Sequence, residues 1–156
     1  MLNRIFSVVL GLVIGLGTSA HAGDAVLTLK HSDQILTFDR AALEAMGTET
    51  IETTTIWTQG LQSFEGVSLA RLVQVTGVQD GKLLATAIND YSIEIPLTDA
   101  VVNGPIVALK LNGKEMSVRD KGPLWIIYPY DSNANYRTEV IYSRSIWQLN
   151  RIEVAE

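Results

Sequence analysis

Much of the chain reads as strand, in runs that either alternate apolar and polar positions with a period of two or are continuously apolar. Runs of this kind, rich in Val, Ile, Thr and aromatic residues, cover residues 25–29, 34–38, 50–57, 83–88, 91–95, 106–111, 124–128 and 146–154. Asn112-Gly113 stands between Leu109-Lys110-Leu111 and Met116-Ser117-Val118. That dipeptide suits the two positive-φ positions of a type I′ turn, so a tight hairpin is expected there. Two short helices interrupt the strands. In the first, Asp39 is placed to accept from free first-turn amides, Phe38 to staple onto Leu43, and Gly47 to end the helix in a left-handed conformation. In the second, Ser68 is the expected cap, Val67 and Leu72 the staple, and Gly77 the stop. Strands with inserted helices, rather than a regular βαβ alternation, predict an α+β domain built on a mixed β-sheet.

The first 22 residues break this pattern. Arg4 lies in a short basic start, residues 5–16 are apolar, and Gly17-Thr18-Ser19 leads into Ala20-His21-Ala22. This is the layout of a secretory signal cut after Ala22, and the run falls short of the roughly 20 apolar residues of a spanning helix. Residues 1–22 are therefore read as a signal peptide and 23–156 as one exported, periplasmic domain with no membrane insertion after cleavage. Its stability is expected from a core alone, because the 156-residue chain contains no cysteine.

Charge narrows the choice of partners. The full chain has 12 basic and 17 acidic side chains, and loss of Arg4 with the signal makes the balance more acidic. Such a surface does not collect nucleic-acid phosphates. Without cysteine, and with His31 the one histidine beyond the signal, Cys/His zinc sites and cysteine nucleophiles are ruled out. His31-Ser32-Asp33 reads as a turn, not a catalytic triad. Acidic pairs such as Asp90 with Glu94 or Glu115 with Asp120 read as solvated surface. Neither a phosphate-cradling loop nor a dinucleotide fingerprint is present.

Aromatic residues are more informative. Five of the eight Trp and Tyr fall between Trp125 and Tyr142, around the polar stretch Tyr130-Asp131-Ser132-Asn133-Ala134-Asn135-Tyr136-Arg137. A planar heteroaromatic ligand would stack on such rings while amide, carboxylate and guanidinium groups meet its edge. Trp147 is expected in the core of the last strand; for Trp125 a core and a site position stay open.

Four strings then carry a resemblance. They are Phe64-Glu65-Gly66-Val67-Ser68-Leu69-Ala70-Arg71-Leu72; Ala87-Ile88-Asn89-Asp90-Tyr91 with Ile95-Pro96; Lys121-Gly122-Pro123-Leu124-Trp125-Ile126-Ile127-Tyr128-Pro129; and Arg144-Ser145-Ile146-Trp147-Gln148-Leu149. Together they resemble the molybdopterin-binding domain of the sulfite oxidase fold, over residues 50–154. The resemblance implies loops around a pterin pocket. Enzymes of this fold hold molybdenum through a cysteine shortly before the glycine equivalent to Gly66, where this chain has Glu52-Thr53-Thr54-Thr55-Ile56-Trp57. A threonine hydroxyl is no soft thiolate. Trp125 also stands where the family carries an arginine for the cofactor's phosphate, which exchanges a phosphate partner for a stacking face.

What the resemblance implies is a non-metallated pterin as ligand and no molybdenum. It further implies a non-catalytic regulatory protein docking on the periplasmic domain of an inner-membrane signalling enzyme that makes or degrades cyclic di-GMP, a control point for biofilm formation. The candidate ligand-binding residues are Asn89, Asp90, Tyr91, Trp125, Tyr130, Arg144 and Ser145, with Lys121 a lesser candidate. Asp90 would accept from a pterin's amino and ring N–H groups, and Arg144 and Ser145 stand where the family has its basic residue near the cofactor. A molybdenum oxidoreductase with a non-cysteine ligand and a ligand-free interaction scaffold are the alternatives.

Overall fold

A computed structural model describes residues 23–155; the expected signal segment lies outside the described residues. The architecture is mixed α+β, with two five-stranded sheets and three short α-helices. The first sheet joins β1 (Leu27–His31), β2 (Gln34–Phe38), β5 (Lys82–Ala87), β6 (Ser92–Pro96) and β10 (Leu149–Ala155) in the order β2-β1-β10-β5-β6. Its β1–β10 pair is parallel and the others antiparallel. The second joins β3 (Glu49–Thr53), β4 (Gln62–Ser68), β7 (Ile106–Leu111), β8 (Lys114–Glu115) and β9 (Trp125–Ile127). All its pairs are antiparallel, with β8 and β9 both pairing with β7. One continuous core takes Leu27, Leu29, Leu83 and Ile152 from the first sheet and Phe64, Val67, Val107 and Ile126 from the second.

The expected hairpin forms: Asn112 and Gly113 have φ of 50° and 76°, and Leu111 pairs with Lys114. Its return strand is only Lys114–Glu115, ahead of the expected Met116–Val118. Helix α1 (Arg40–Ala45) is capped as expected, Asp39 accepting from Ala42 N, and Gly47 follows at φ 92°. Helix α2 (Leu69–Gln74) starts after Ser68, but that hydroxyl makes no capping bond. Ser68 closes β4 instead, a strand absent from the periodicity reading. Gly66 hides it, yet Gly66 is there for close packing, since a Cβ would lie 2.0 Å from the Val107 carbonyl oxygen of the neighbouring strand.

Three other expectations are corrected. The run at 50–57 leaves the sheet after Thr53, because the following threonines bond side chains and turn rather than ladder. The run at 146–154 enters β10 only at Leu149, after Gln148 adopts φ 52°. A third helix, α3 (Glu139–Arg144), forms where none was expected, with Thr138 Oγ1 accepting from Ile141 N.

These details place the site. Ile126 N donates to Ile146 O, Leu149 N to Leu124 O and Ile88 N to Gln148 O, each at 2.9–3.0 Å. The segment between α3 and β10 thereby joins β9 of one sheet to the β5–β6 turn of the other.

Candidate functional site

At this seam lies a cleft of about 420 Å³. Three walls form it. The first is Ile56 and Trp57, in the turn after β3; the second is Ala87, Asn89 and Tyr91, at the β5–β6 turn; the third runs from Tyr142 through Ser143, Ser145, Ile146 and Trp147 to Gln148. Among the described residues, no charged side chain lines it. Its surface is aromatic with amides and hydroxyls interspersed, the composition of a site for a flat, uncharged ring.

The aromatic walls are held by one another edge to face. Trp57 meets Trp125 at 5.6 Å, Tyr142 at 5.8 Å and Trp147 at 5.8 Å between ring centroids, with interplanar angles of 65–82°. Behind them Phe64 meets Trp125 at 5.5 Å and 88°. Such T-shaped contacts direct the positive ring edge onto the negative face of a neighbour and fix ring planes more firmly than aliphatic packing does. The Lys121 ammonium sits 4.7 Å from the Trp147 ring centroid, a cation–π contact at the edge of the same cluster.

The polar groups behind the wall form a closed chain. Ser145, at the end of α3, is buried and donates through Oγ to Ile141 O at 2.9 Å. With that single proton committed, the Tyr130 hydroxyl is the donor in its 2.6 Å bond to Ser145 Oγ. Trp125 Nε1 donates to Ser145 O at 3.1 Å. One serine therefore terminates the Trp125 and Tyr130 donors. Burial pushes the Tyr130 phenol up to about 12, because a phenolate would lose its hydration. A second chain anchors the other side of α3: Tyr128 OH donates to Asp99 Oδ2 at 2.8 Å, and Arg144 donates to the same oxygen at 3.0 Å. Burial, with the Asp99 charge beside it, raises Tyr128 as well.

Of the seven candidate residues, the cleft brings together Asn89, Tyr91 and Ser145. Asp90 lies next to them in a left-handed turn at φ 66°, its exposed carboxylate paired with Arg151. Trp125 and Tyr130 are fully buried one layer behind the wall, so their rings support the site and offer no open stacking face. Arg144 is outside the lining and holds α3 to Asp99. Trp147, expected in the core, is 39 % exposed and forms wall. Trp125 props Trp57 and Trp147, and these two meet the cleft.

The lining residues outside the candidate set are chiefly Trp57, Tyr142, Trp147 and Gln148. Trp57 follows three threonines at a strand end, a sign that the chain turns before the indole. Tyr142 lies in the last turn of α3, and Ser145 and Ile146 follow directly after the helix. The polar stretch at 130–137 does not lie over the cleft as a free loop. Thr54 donates to Asp131 through both N and Oγ1, and Asp131 N donates to Thr53 Oγ1. The Thr54 amide and hydroxyl hold the Asp131 carboxyl below the usual range.

Searches of protein-family models and of curated proteins return no match to this chain.

Proposed function

We propose that the chain is an exported, non-catalytic regulatory module of the sulfite oxidase molybdopterin-binding type. It binds a non-metallated pterin in the aromatic cleft and signals occupancy to the periplasmic domain of an inner-membrane enzyme of cyclic di-GMP turnover. The carrying observation is the cleft itself: indole and phenol walls, amide and hydroxyl edges, and no charged lining residue. A pterin is flat, has a hydrogen-bonding edge and carries no phosphate. A phosphorylated cofactor calls for guanidinium or ammonium partners, which the lining lacks.

The donor chemistry speaks against a metallated form. Where the family has its thiolate, Thr53 Oγ1 is bonded to Thr54 O and Asp131 N, Thr54 Oγ1 to Asp131, and Thr55 Oγ1 to Thr58. Neutral hydroxyls already committed in this way do not suit molybdenum. Regulation follows from thermodynamic linkage. A partner that prefers the occupied face gains affinity when ligand binds, and ligand affinity rises equally when the partner docks. Ile56, Ile88 and Tyr91, exposed around the cleft, supply apolar surface for such a contact.

The test begins with protein purified after export, denatured and analysed for released pterins by mass spectrometry and for molybdenum on the same sample. The expected result is a pterin, or one-to-one binding of an added pterin read by tryptophan quenching, with molybdenum well below one per chain. Molybdenum near one per chain, or no quenching by oxidised or reduced pterins, overturns the proposal.

A further inference from the structure

Away from the cleft, the segment leading into β1 is received by a specific carboxylate. Gly23 N donates to Asp39 Oδ2 at 2.8 Å, while Asp39 Oδ1 accepts from Ala42 N at 2.7 Å as the cap of α1. Val26 N donates to Phe38 O at 2.8 Å and keeps the segment alongside β2. A Cβ at position 23 would come within 3.3 Å of Asp39 Oδ2, a tight contact that glycine avoids. The two carboxylate oxygens are thus divided between a helix and the residue following the expected cleavage point.

The surrounding depression is acidic. Asp24 from the segment, Asp39 and Glu44 from the α1 region and Glu115 from β8 line it, against one cation, Arg40. Arg40 is already engaged, with Glu115 at 3.3 Å and Leu109 O at 3.0 Å, and Glu44 pairs with Lys110 at 3.1 Å.

We infer that Asp39 is a built-in receptor for the chain's own α-ammonium group, created at Gly23 when the Ala22–Gly23 bond is cut. The inference rests on reading residues 1–22 as an export signal. In the uncut chain Gly23 N is an amide with a single proton to donate. Hydrolysis consumes one water, breaks the Ala22 carbonyl–Gly23 N bond, and leaves a carboxyl on Ala22 and an amine on Gly23 that takes up a proton at neutral pH. The neutral hydrogen bond becomes a charge-assisted one at the same carboxylate. Processing thus tightens the edge of the first sheet and the head of α1 together, and the released terminus is kept from fraying.

The test uses the full chain, exported and purified, beside its Asp39→Asn variant; asparagine keeps the capping oxygen but removes the charge. Intact mass identifies the first residue. Reductive methylation with ¹³C-formaldehyde followed by NMR titration then reports the amine's midpoint. The expected outcome is a chain starting at Gly23 with a midpoint about half a unit above the ordinary α-amino range, as for an exposed ion pair, and a return to that range in Asp39→Asn. If Asp39→Asn does not accumulate, Asp39→Ser, which keeps a capping oxygen without the charge, is expected to give the same return. A first residue other than Gly23 overturns the processing reading and the receptor with it. Gly23 as first residue with equal midpoints in both proteins overturns the receptor alone. The cleft reading stands or falls separately, on ligand release.

Discussion

The three walls of the cleft fall into two kinds, built on opposite principles. The two aromatic walls, Trp57 on one and Tyr142 and Trp147 on the other, are backed by Trp125, Tyr130 and Ser145, so every ring has aromatic neighbours and the Trp125 and Tyr130 donors end on one serine. The wall of Asn89 and Tyr91 is a tight turn, exposed, with Asn89 Oδ1 accepting from Tyr91 N at 3.3 Å and Tyr91 54 % open to solvent. The first is over-determined by packing and holds its shape without ligand. The second has little beyond a turn to hold its side chains, so a ligand orders them at small cost. A rigid stacking face opposite an adaptable polar edge is how a site combines pre-organisation with selectivity.

The largest expected effect comes from breaking the rigid wall. Trp125→Ala removes the fully buried indole that props Trp57 and Trp147, and should cost about 3–5 kcal/mol of stability. Urea unfolding checks it; a loss under 1 kcal/mol would mean that the cleft wall does not depend on this backing. Alkaline titration comes next. Tyr130 is held up to about 12 in the fold against 10.0 ordinarily, so above pH 10 the unfolded chain gives up this proton and the folded one does not. The native state then binds more protons, and stability falls as pH rises from 10 towards 12, by roughly 3 kcal/mol from this group. Tyr130→Phe should flatten that part of the slope in urea midpoints measured at pH 8, 10 and 11. The smallest effect on stability, within about 0.5 kcal/mol, is expected for Tyr91→Ala on the adaptable wall. Its effect should appear in ligand titration instead, as about tenfold weaker pterin binding with an unchanged unfolding midpoint.

Legibility followed the range of the interactions. The helix start at Asp39, the left-handed Gly47 and Gly77 and the Asn112-Gly113 turn are local, each decided within a few residues, and they appear where the pattern puts them. Strand β4 escaped because its Gly66 serves the backbone of β7, a partner some 40 residues away. Helix α3 escaped because its polar lead-in reads as a loop, and bonds between Asp131 and the distant Thr53 and Thr54, with Arg137 Nε donating to Tyr130 O, tie that lead-in down. Among candidate site residues the same division holds. Asn89 and Tyr91, candidates from the string Ala87-Ile88-Asn89-Asp90-Tyr91, reach the cleft from one turn, whereas Trp57 comes from another part of the chain and reaches it only through the fold.

The amino-acid order by itself determined a strand-rich α+β domain without disulfides, an acidic surface, and an aromatic-dense C-terminal third, because composition and period are properties of neighbours in sequence. Only the tertiary structure decided which aromatics face solvent. Trp125 and Trp147 each follow an aliphatic residue in sequence, yet one is fully buried and the other is 39 % exposed. The reason is the bridge between them. It places β9 inside the second sheet and leaves the 146–148 segment at the seam, where Gln148 turns the chain at positive φ before β10 begins. Burial at such a seam depends on how two sheets meet, and no local pattern along the chain encodes that.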